Sequence, residues 1–116
     1  MRNLVLLAGL TIFAAILNAA DISGTWSADV ALDAGSGTAT FVLKQTGETL
    51  AGTYSGRLGE AKVVGSIKGE DVVWAFETDD AGKVTYKGKL EGASKIKGAV
   101  EYGQLGKGTF SAEKQK

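Results

Sequence analysis

The chain has 116 residues, of which 13 are basic and 13 acidic, and it contains no His and no Cys. A chain of this length holds one domain. Without His or Cys it lacks the commonest general base and the commonest transition-metal ligands, so we predict neither a metal nor another cofactor. Its balanced charge does not fit dedicated nucleic-acid binding, which needs a positive excess.

The first 20 residues have the order of a secretory signal peptide. Arg2 precedes the apolar run LVLLAGLTIFAAIL, and small residues follow it before Asp21. The run has 14 residues, fewer than the roughly 20 that span a bilayer. We therefore predict cleavage near Ala20 rather than a membrane anchor. The expected product is one domain, residues 21–116, exported to the periplasm or the medium and not inserted in a membrane.

The rest of the chain alternates polar and apolar residues and is interrupted by Gly beside Asp, Glu, Ser or Lys. This pattern predicts eight strands. The predicted strands are 22–32, 38–46, 49–56, 60–68, 71–78, 83–91, 94–102 and 105–114. The links between them are too short for parallel crossovers, so consecutive strands should pair antiparallel.

One face of every predicted strand is apolar, and the aromatic residues of the domain all have the parity of that face. They are Trp26, Phe41, Tyr54, Trp74, Phe76, Tyr86, Tyr102 and Phe110. Eight strands that share one dry face can bury it by closing on themselves, which also removes both sheet edges. The predicted fold is an all-β, eight-stranded antiparallel up-and-down barrel.

Glycine recurs on the same dry face, two positions before an apolar residue. The repeats are GTY, GSI, GKL, GAV and GTF, with glycines at 52, 65, 88, 98 and 108. Strands of a small barrel bend sharply, and an inward side chain at the bend would collide with its neighbours. We interpret these glycines as relieving that crowding.

Several short motifs resemble those of avidins and lipocalins. GTW (Gly24–Trp26) is similar to the Gly-x-Trp that opens the first strand of both families. TF at 40–41, LAGTYSGRLGEA at 50–61 and VVWAF around Trp74 resemble the avidin strands that follow. The chain also resembles small secreted bacterial proteins. The resemblance implies a calycin-type barrel that binds a ligand.

The residues that would bind biotin are mostly replaced. Tyr54 matches the tyrosine that avidins direct at the ligand, but Ala28 and Gly56 stand where avidins have Asn and Ser. No tryptophan follows Trp74 to complete the pocket. Because a polar ligand loses most of its affinity without its hydrogen-bond partners, we predict that the chain does not bind biotin. Lipocalins differ too, being longer and carrying a helix after the barrel.

Strand direction in a meander determines which residues share an end of the barrel. Five aromatic side chains should lie toward the end of the DAGSG, RLG, DDAG and GQLG links, and these are the predicted ligand-binding residues Tyr54, Tyr86, Tyr102, Phe41 and Phe76. Trp26 and Trp74 should form the floor at the other end. Tyrosine hydroxyls at the mouth could hold the polar head of a ligand whose apolar part enters the barrel.

Two functions fit this fold. The first is binding of a small, mostly apolar ligand in the barrel interior. The second is a non-catalytic structural or interaction domain that works through its outer surface around a filled core. Eight-stranded barrels serve either purpose, since the bore just takes side chains or one small ligand. We expect no enzyme activity and no catalytic residues, because the predicted inner face carries no carboxylate. Outward lysines on strands 6 to 8 could attract an anionic partner, but lysines on strands also serve solubility, and we favour that second interpretation.

Overall fold

The computed structural model describes residues 21–33 and 35–115. Its strands are β1 (Gly24–Leu32), β2 (Gly35–Thr46), β3 (Thr49–Gly56), β4 (Gly59–Lys68), β5 (Asp71–Thr78), β6 (Gly82–Glu91), β7 (Lys95–Tyr102) and β8 (Lys107–Lys114). Each strand pairs antiparallel with the next, and β8 pairs back to β1, so the sheet is a closed barrel. The predicted all-β meander barrel is confirmed. The predicted signal peptide lies outside the described residues. Within the described ranges, no helix is long and apolar enough to cross a membrane.

Six strand starts differ from the prediction, three of them by a single residue (β4 at Gly59, β6 at Gly82 and β7 at Lys95). The other three differ by two or three residues, each for a local reason. β2 starts at Gly35 rather than 38, because the β1–β2 hairpin pairs as far as Leu32 with Gly35. β8 starts at Lys107 rather than 105, because Gly103–Leu105 forms a 3-10 turn. β1 starts at Gly24 rather than 22, because Ile22 is not paired with β2 and its carbonyl instead accepts a hydrogen bond from the Trp26 indole.

The core is the inside of the barrel. Most of the alternating inward residues of the eight strands are buried, and the eight aromatic side chains of the domain are among them. The Phe41 ring lies 5.0–5.8 Å, between centroids, from the rings of Tyr54, Trp74, Phe76 and Tyr86. No polar or charged residue of the described ranges is classed as buried. The dry face that the alternation predicts is therefore confirmed, and aromatic rings occupy the middle of the bore.

Inward glycines mark the places where neighbouring strands come closest. A Cβ on Gly98 would lie 2.0 Å from the Lys87 carbonyl oxygen, and one on Gly52 would lie 1.8 Å from that of Val42. The same holds at 65, 88 and 108, where the distance to a backbone oxygen is 1.8–2.7 Å. Such contacts are impossible for a real side chain. Crowding at these glycines is thus confirmed, and most of it comes from the backbone of the adjacent strand.

The segment before β1 closes one end of the barrel. Ile22 is 1% exposed, and its backbone N–H donates to Gln45 Oε1 at 2.9 Å. The Trp26 Nε1–H donates to the Ile22 carbonyl, also at 2.9 Å, and the Gln45 N–H donates to Ser23 Oγ. These bonds hold Ile22 beside the Trp26 indole, and the buried Ile22 side chain plugs this end of the barrel.

We expect Gly98→Ala to destabilise the protein far more than Gly37→Ala, although both glycines face inward. The new methyl at 98 meets backbone, whereas a Cβ at 37 has only Arg57 Nε as a neighbour, at 3.9 Å. Urea unfolding should show a loss of about 1–3 kcal/mol or more for Gly98→Ala and a change within about 0.5 kcal/mol for Gly37→Ala. Equal stabilities of the two variants would contradict the close approach of β6 and β7.

Candidate functional site

Among the described residues, two joined turns cover one side of the barrel end opposite Ile22. Ala81, in the β5–β6 turn, is fully buried, and its carbonyl accepts the Gln104 N–H at 3.0 Å. The Ala81 N–H in turn donates to Thr78 Oγ1 at 3.1 Å. The β5–β6 turn and the 3-10 turn before β8 are thus joined, and together they cover their side of the opening.

The other side of this end holds a pocket of about 170 Å³, which we call the mouth pocket. It lies between the β1–β2 hairpin, the β3–β4 turn and the 3-10 turn. Its lining is Val30, Leu32, Gly35, Ser36, Gly37, Thr38, Tyr54, Arg57, Leu58, Tyr102 and Leu105. Aliphatic side chains and tyrosine rings dominate, with two small hydroxyls and one guanidinium. A concave, mostly apolar space with a few polar groups is the usual form of a small-ligand site.

Tyr54 brings a buried hydroxyl to the mouth pocket. Its side chain is 2% exposed, and its oxygen accepts the Leu58 backbone N–H at 3.4 Å. The hydroxyl lies directly under the β3–β4 turn, since a Cβ on Gly56 would be 2.6 Å from it. Because the oxygen acts as an acceptor in this bond, its own proton remains available to donate to another group.

Tyr102 reaches the pocket as one member of a buried pair. Its hydroxyl is hydrogen-bonded to that of Tyr86. Burial raises the pKa of Tyr86 well above its usual value, and the neighbouring Tyr102 adds to the effect. Burial also raises the pKa of Tyr102, to about 12, although its bond to Tyr86 opposes the shift. Both phenols are therefore neutral near pH 7, and one of the two keeps a proton to donate beyond the pair.

The five predicted ligand-binding residues form one cluster, of which two members line the pocket. Tyr54 and Tyr102 are lining residues. Phe76 stacks on Tyr54 at 4.2 Å between centroids and meets Tyr102 edge-on at 6.4 Å. Phe41 contacts the Tyr54 ring from the core side, and the Tyr86 hydroxyl is hydrogen-bonded to that of Tyr102. The structure thus brings all five together and places Phe41, Phe76 and Tyr86 behind the pocket wall.

The two tryptophans of the predicted floor have different surroundings. Trp26 lies at the plugged end beside Ile22, as its indole hydrogen bond shows. Trp74 stacks on Tyr86 at 5.2 Å and meets Phe41 edge-on at the same distance. It also contacts the Phe110 ring. Trp74 therefore belongs to the aromatic cluster that occupies the bore.

Sequence reasoning missed the aliphatic and charged part of the pocket. Arg57 and Leu58 belong to the RLG link, which the alternation treats only as a turn, and Leu105 belongs to a segment predicted as strand. The sequence did contain an indication of Arg57. It is the only arginine after Arg2, and it belongs to the RLG link, which was predicted at the same end of the barrel as the three tyrosines. The described residues bring together no group of three or more Asp, Glu, His or Cys side chains that could hold a metal ion.

No protein-family model, curated protein or solved structure matches the chain. The closed eight-stranded meander is consistent with a calycin-like fold. The closer relationship to avidins or lipocalins remains a prediction from the short motifs around Trp26, Tyr54 and Trp74. The function therefore has to be argued from the mouth pocket itself.

We expect the protein to lose stability as the pH rises above about 10. Tyrosine in the unfolded chain ionises near pH 10, whereas the pKa of folded Tyr102 is about 12. Above pH 10 the unfolded state binds fewer protons than the folded state, so the free energy of unfolding falls by up to about 1.4 kcal/mol per pH unit for each such tyrosine. Thermal melting of the parent and Tyr102→Phe at pH 8 and pH 11 measures the effect. The variant should lose less between the two pH values, and parallel losses would refute the shifted pKa.

Proposed function

We propose that the protein binds a small, mostly apolar ligand at the tyrosine end of the barrel, with the ligand seated in the mouth pocket. The observation that carries this proposal is the pocket itself, an apolar concavity bordered by the buried hydroxyl groups of Tyr54 and Tyr102. The aromatic cluster fills the bore beneath it, so the ligand rests on the cluster.

The size and chemistry of the pocket support a compact amphiphile. Its volume of about 170 Å³ is close to the roughly 150 Å³ of an apolar cavity that accepts a benzene ring. Leu58, Leu105 and Val30 provide the apolar contact, and the tyrosine hydroxyls can hold a polar head. The proposed role is binding rather than catalysis, since the lining offers hydroxyls and a guanidinium and no carboxylate.

We propose further that this ligand is not biotin, even if the barrel is avidin-like. Avidins place a serine where this chain has Gly56. A Cβ at 56 would lie 2.6 Å from the Tyr54 hydroxyl and 3.0 Å from its ring. The serine therefore has no room here while Tyr54 occupies its present position, and Ala28 is fully buried with no group to donate or accept a hydrogen bond.

The second candidate is an interaction domain that works through its outer surface, and the filled bore favours it. Val42 and Val64 are large apolar side chains that remain 49% and 65% exposed. Val64 pairs across the strands with Ala51 and Ala75, which extends an outward apolar spot over β3, β4 and β5. By contrast, the lysine-rich face includes two ion pairs with acids, Lys89–Asp71 and Lys95–Glu113, which reduces its positive character.

We also propose that the protein is exported and cleaved near Ala20. The plug supports this boundary, because Ile22 is held by Gln45 and Trp26 and would be lost if cleavage occurred beyond it. Intact-mass analysis of protein from its native host should show a chain that begins at Ala20, Asp21 or a neighbouring residue. A full-length, membrane-bound product would refute export with cleavage.

Binding can be tested by NMR titration with three eight-carbon amphiphiles, 1-octanol, octanoate and octylammonium. We expect at least one of them to shift the signals of Leu58, Leu105 and the Tyr54 ring. Gly37→Leu should weaken that binding at least tenfold, because an inward side chain at 37 extends into the mouth pocket from a position with open space around its Cβ.

Thr40→Leu is the matched control, since it adds the same side chain to the outer face of the same strand. It should leave binding unchanged. If none of the three amphiphiles shifts the parent's spectrum, the ligand-binding proposal fails and the outer-surface candidate replaces it. Unchanged binding by Gly37→Leu would place the ligand elsewhere on the molecule.

A further inference from the structure

The lining of the mouth pocket carries a positive charge and no negative one. Arg57 is the only charged residue among those that line it. Arg57 is also the only arginine after residue 2, whereas lysines are spread over the outer surface. Arginine presents a planar, permanently charged group that matches a carboxylate or a phosphate better than lysine does.

Arg57 lies in the β3–β4 turn, where it is exposed to solvent and lines the pocket. Its Nε lies 3.9 Å from the point where a Cβ on Gly37 would stand, on the neighbouring strand β2. The two ion pairs among the described residues, Lys89–Asp71 and Lys95–Glu113, involve other side chains. The Arg57 guanidinium thus lies at the pocket rim, near Gly37, and forms no ion pair with a carboxylate of the described residues.

A second donor lies beneath the same turn. Tyr54 is buried, and its hydroxyl oxygen accepts the Leu58 N–H, a bond that does not use the hydroxyl hydrogen. Tyr54 lies on β3, three residues before Arg57 in the β3–β4 turn, and both line the pocket. The pocket wall therefore carries a guanidinium and a phenol hydroxyl that come from neighbouring positions of the chain. A charged donor beside a buried neutral donor favours an anionic oxygen over a hydroxyl.

We infer that the ligand of the mouth pocket is an amphiphilic anion, a compact apolar group that ends in a carboxylate, and that Arg57 and Tyr54 bind this head. The inference rests on the proposed ligand-binding function and adds the chemical class of the ligand. The carboxylate lies under the β3–β4 turn, and the apolar part packs against Leu58, Leu105 and Val30.

The test compares octanoate with 1-octanol, which have the same carbon chain and differ in the charge of the head. At 10 mM salt we expect the parent to bind octanoate about fivefold more tightly, the scale of an exposed ion pair. Arg57→Gln should remove this preference and leave 1-octanol binding unchanged, and Arg57→Lys should restore part of it. At 500 mM salt the preference of the parent should shrink, because the rim is exposed to solvent.

Lys62→Gln is the matched control, because it removes the same charge from an outward, exposed position on β4. It should leave the preference for octanoate intact. Equal binding of octanoate and 1-octanol by the parent would overturn the inference and leave the proposed ligand-binding function standing. A preference that survives Arg57→Gln, or one that Lys62→Gln removes equally, would overturn the role of Arg57. Binding of neither compound would overturn both the inference and the proposed function.

Discussion

The close approach of neighbouring strands at the inward glycines is the constraint on which the rest of the molecule depends. At Gly52, Gly98 and Gly108 a carbonyl oxygen of the next strand stands about where a Cβ would be. Strands can only pass this close if the inner position carries no side chain, and passing this close lets a sheet of eight short strands curve into a narrow closed barrel. The glycines therefore determine how tightly the barrel closes.

A narrow bore determines how the core is filled. Aromatic rings from other strands reach into the space that the glycines leave, as when the Phe110 ring of β8 comes within 2.9 Å of the Cβ position of Gly88 on β6. Such rings then meet edge to face or stack, which adds favourable geometry to their burial. One feature of the backbone thus produces both the tight closure and the aromatic core. The mouth pocket lies beyond this aromatic cluster, at the end of the barrel.

The sequence predicted this barrel because period-two alternation and short links depend only on local residue order. It predicted which face each aromatic residue occupies for the same reason. The height of a residue along the barrel depends instead on the stagger between strands, which alternation does not specify. For that reason the hydrogen bond between Tyr86 and Tyr102, and the place of Trp74 inside the cluster, could not be predicted. The Ile22 plug was equally hidden, because it depends on Gln45, 23 residues away.

For the ligand that we propose, the small size of the mouth pocket would make the polar groups at its rim decisive for selectivity. A ligand with few non-hydrogen atoms can gain only a limited free energy from apolar contact, at most about 1.5 kcal/mol per atom and usually much less. Leu58, Leu105 and Val30 would contact any short apolar chain about equally well, so they cannot distinguish one compound from another. Discrimination between ligands would therefore have to come from side chains that bind only one kind of polar head group. In our proposal the Arg57 guanidinium and the Tyr54 hydroxyl meet that requirement, and the filled bore limits how far the apolar part of the ligand can extend into the barrel.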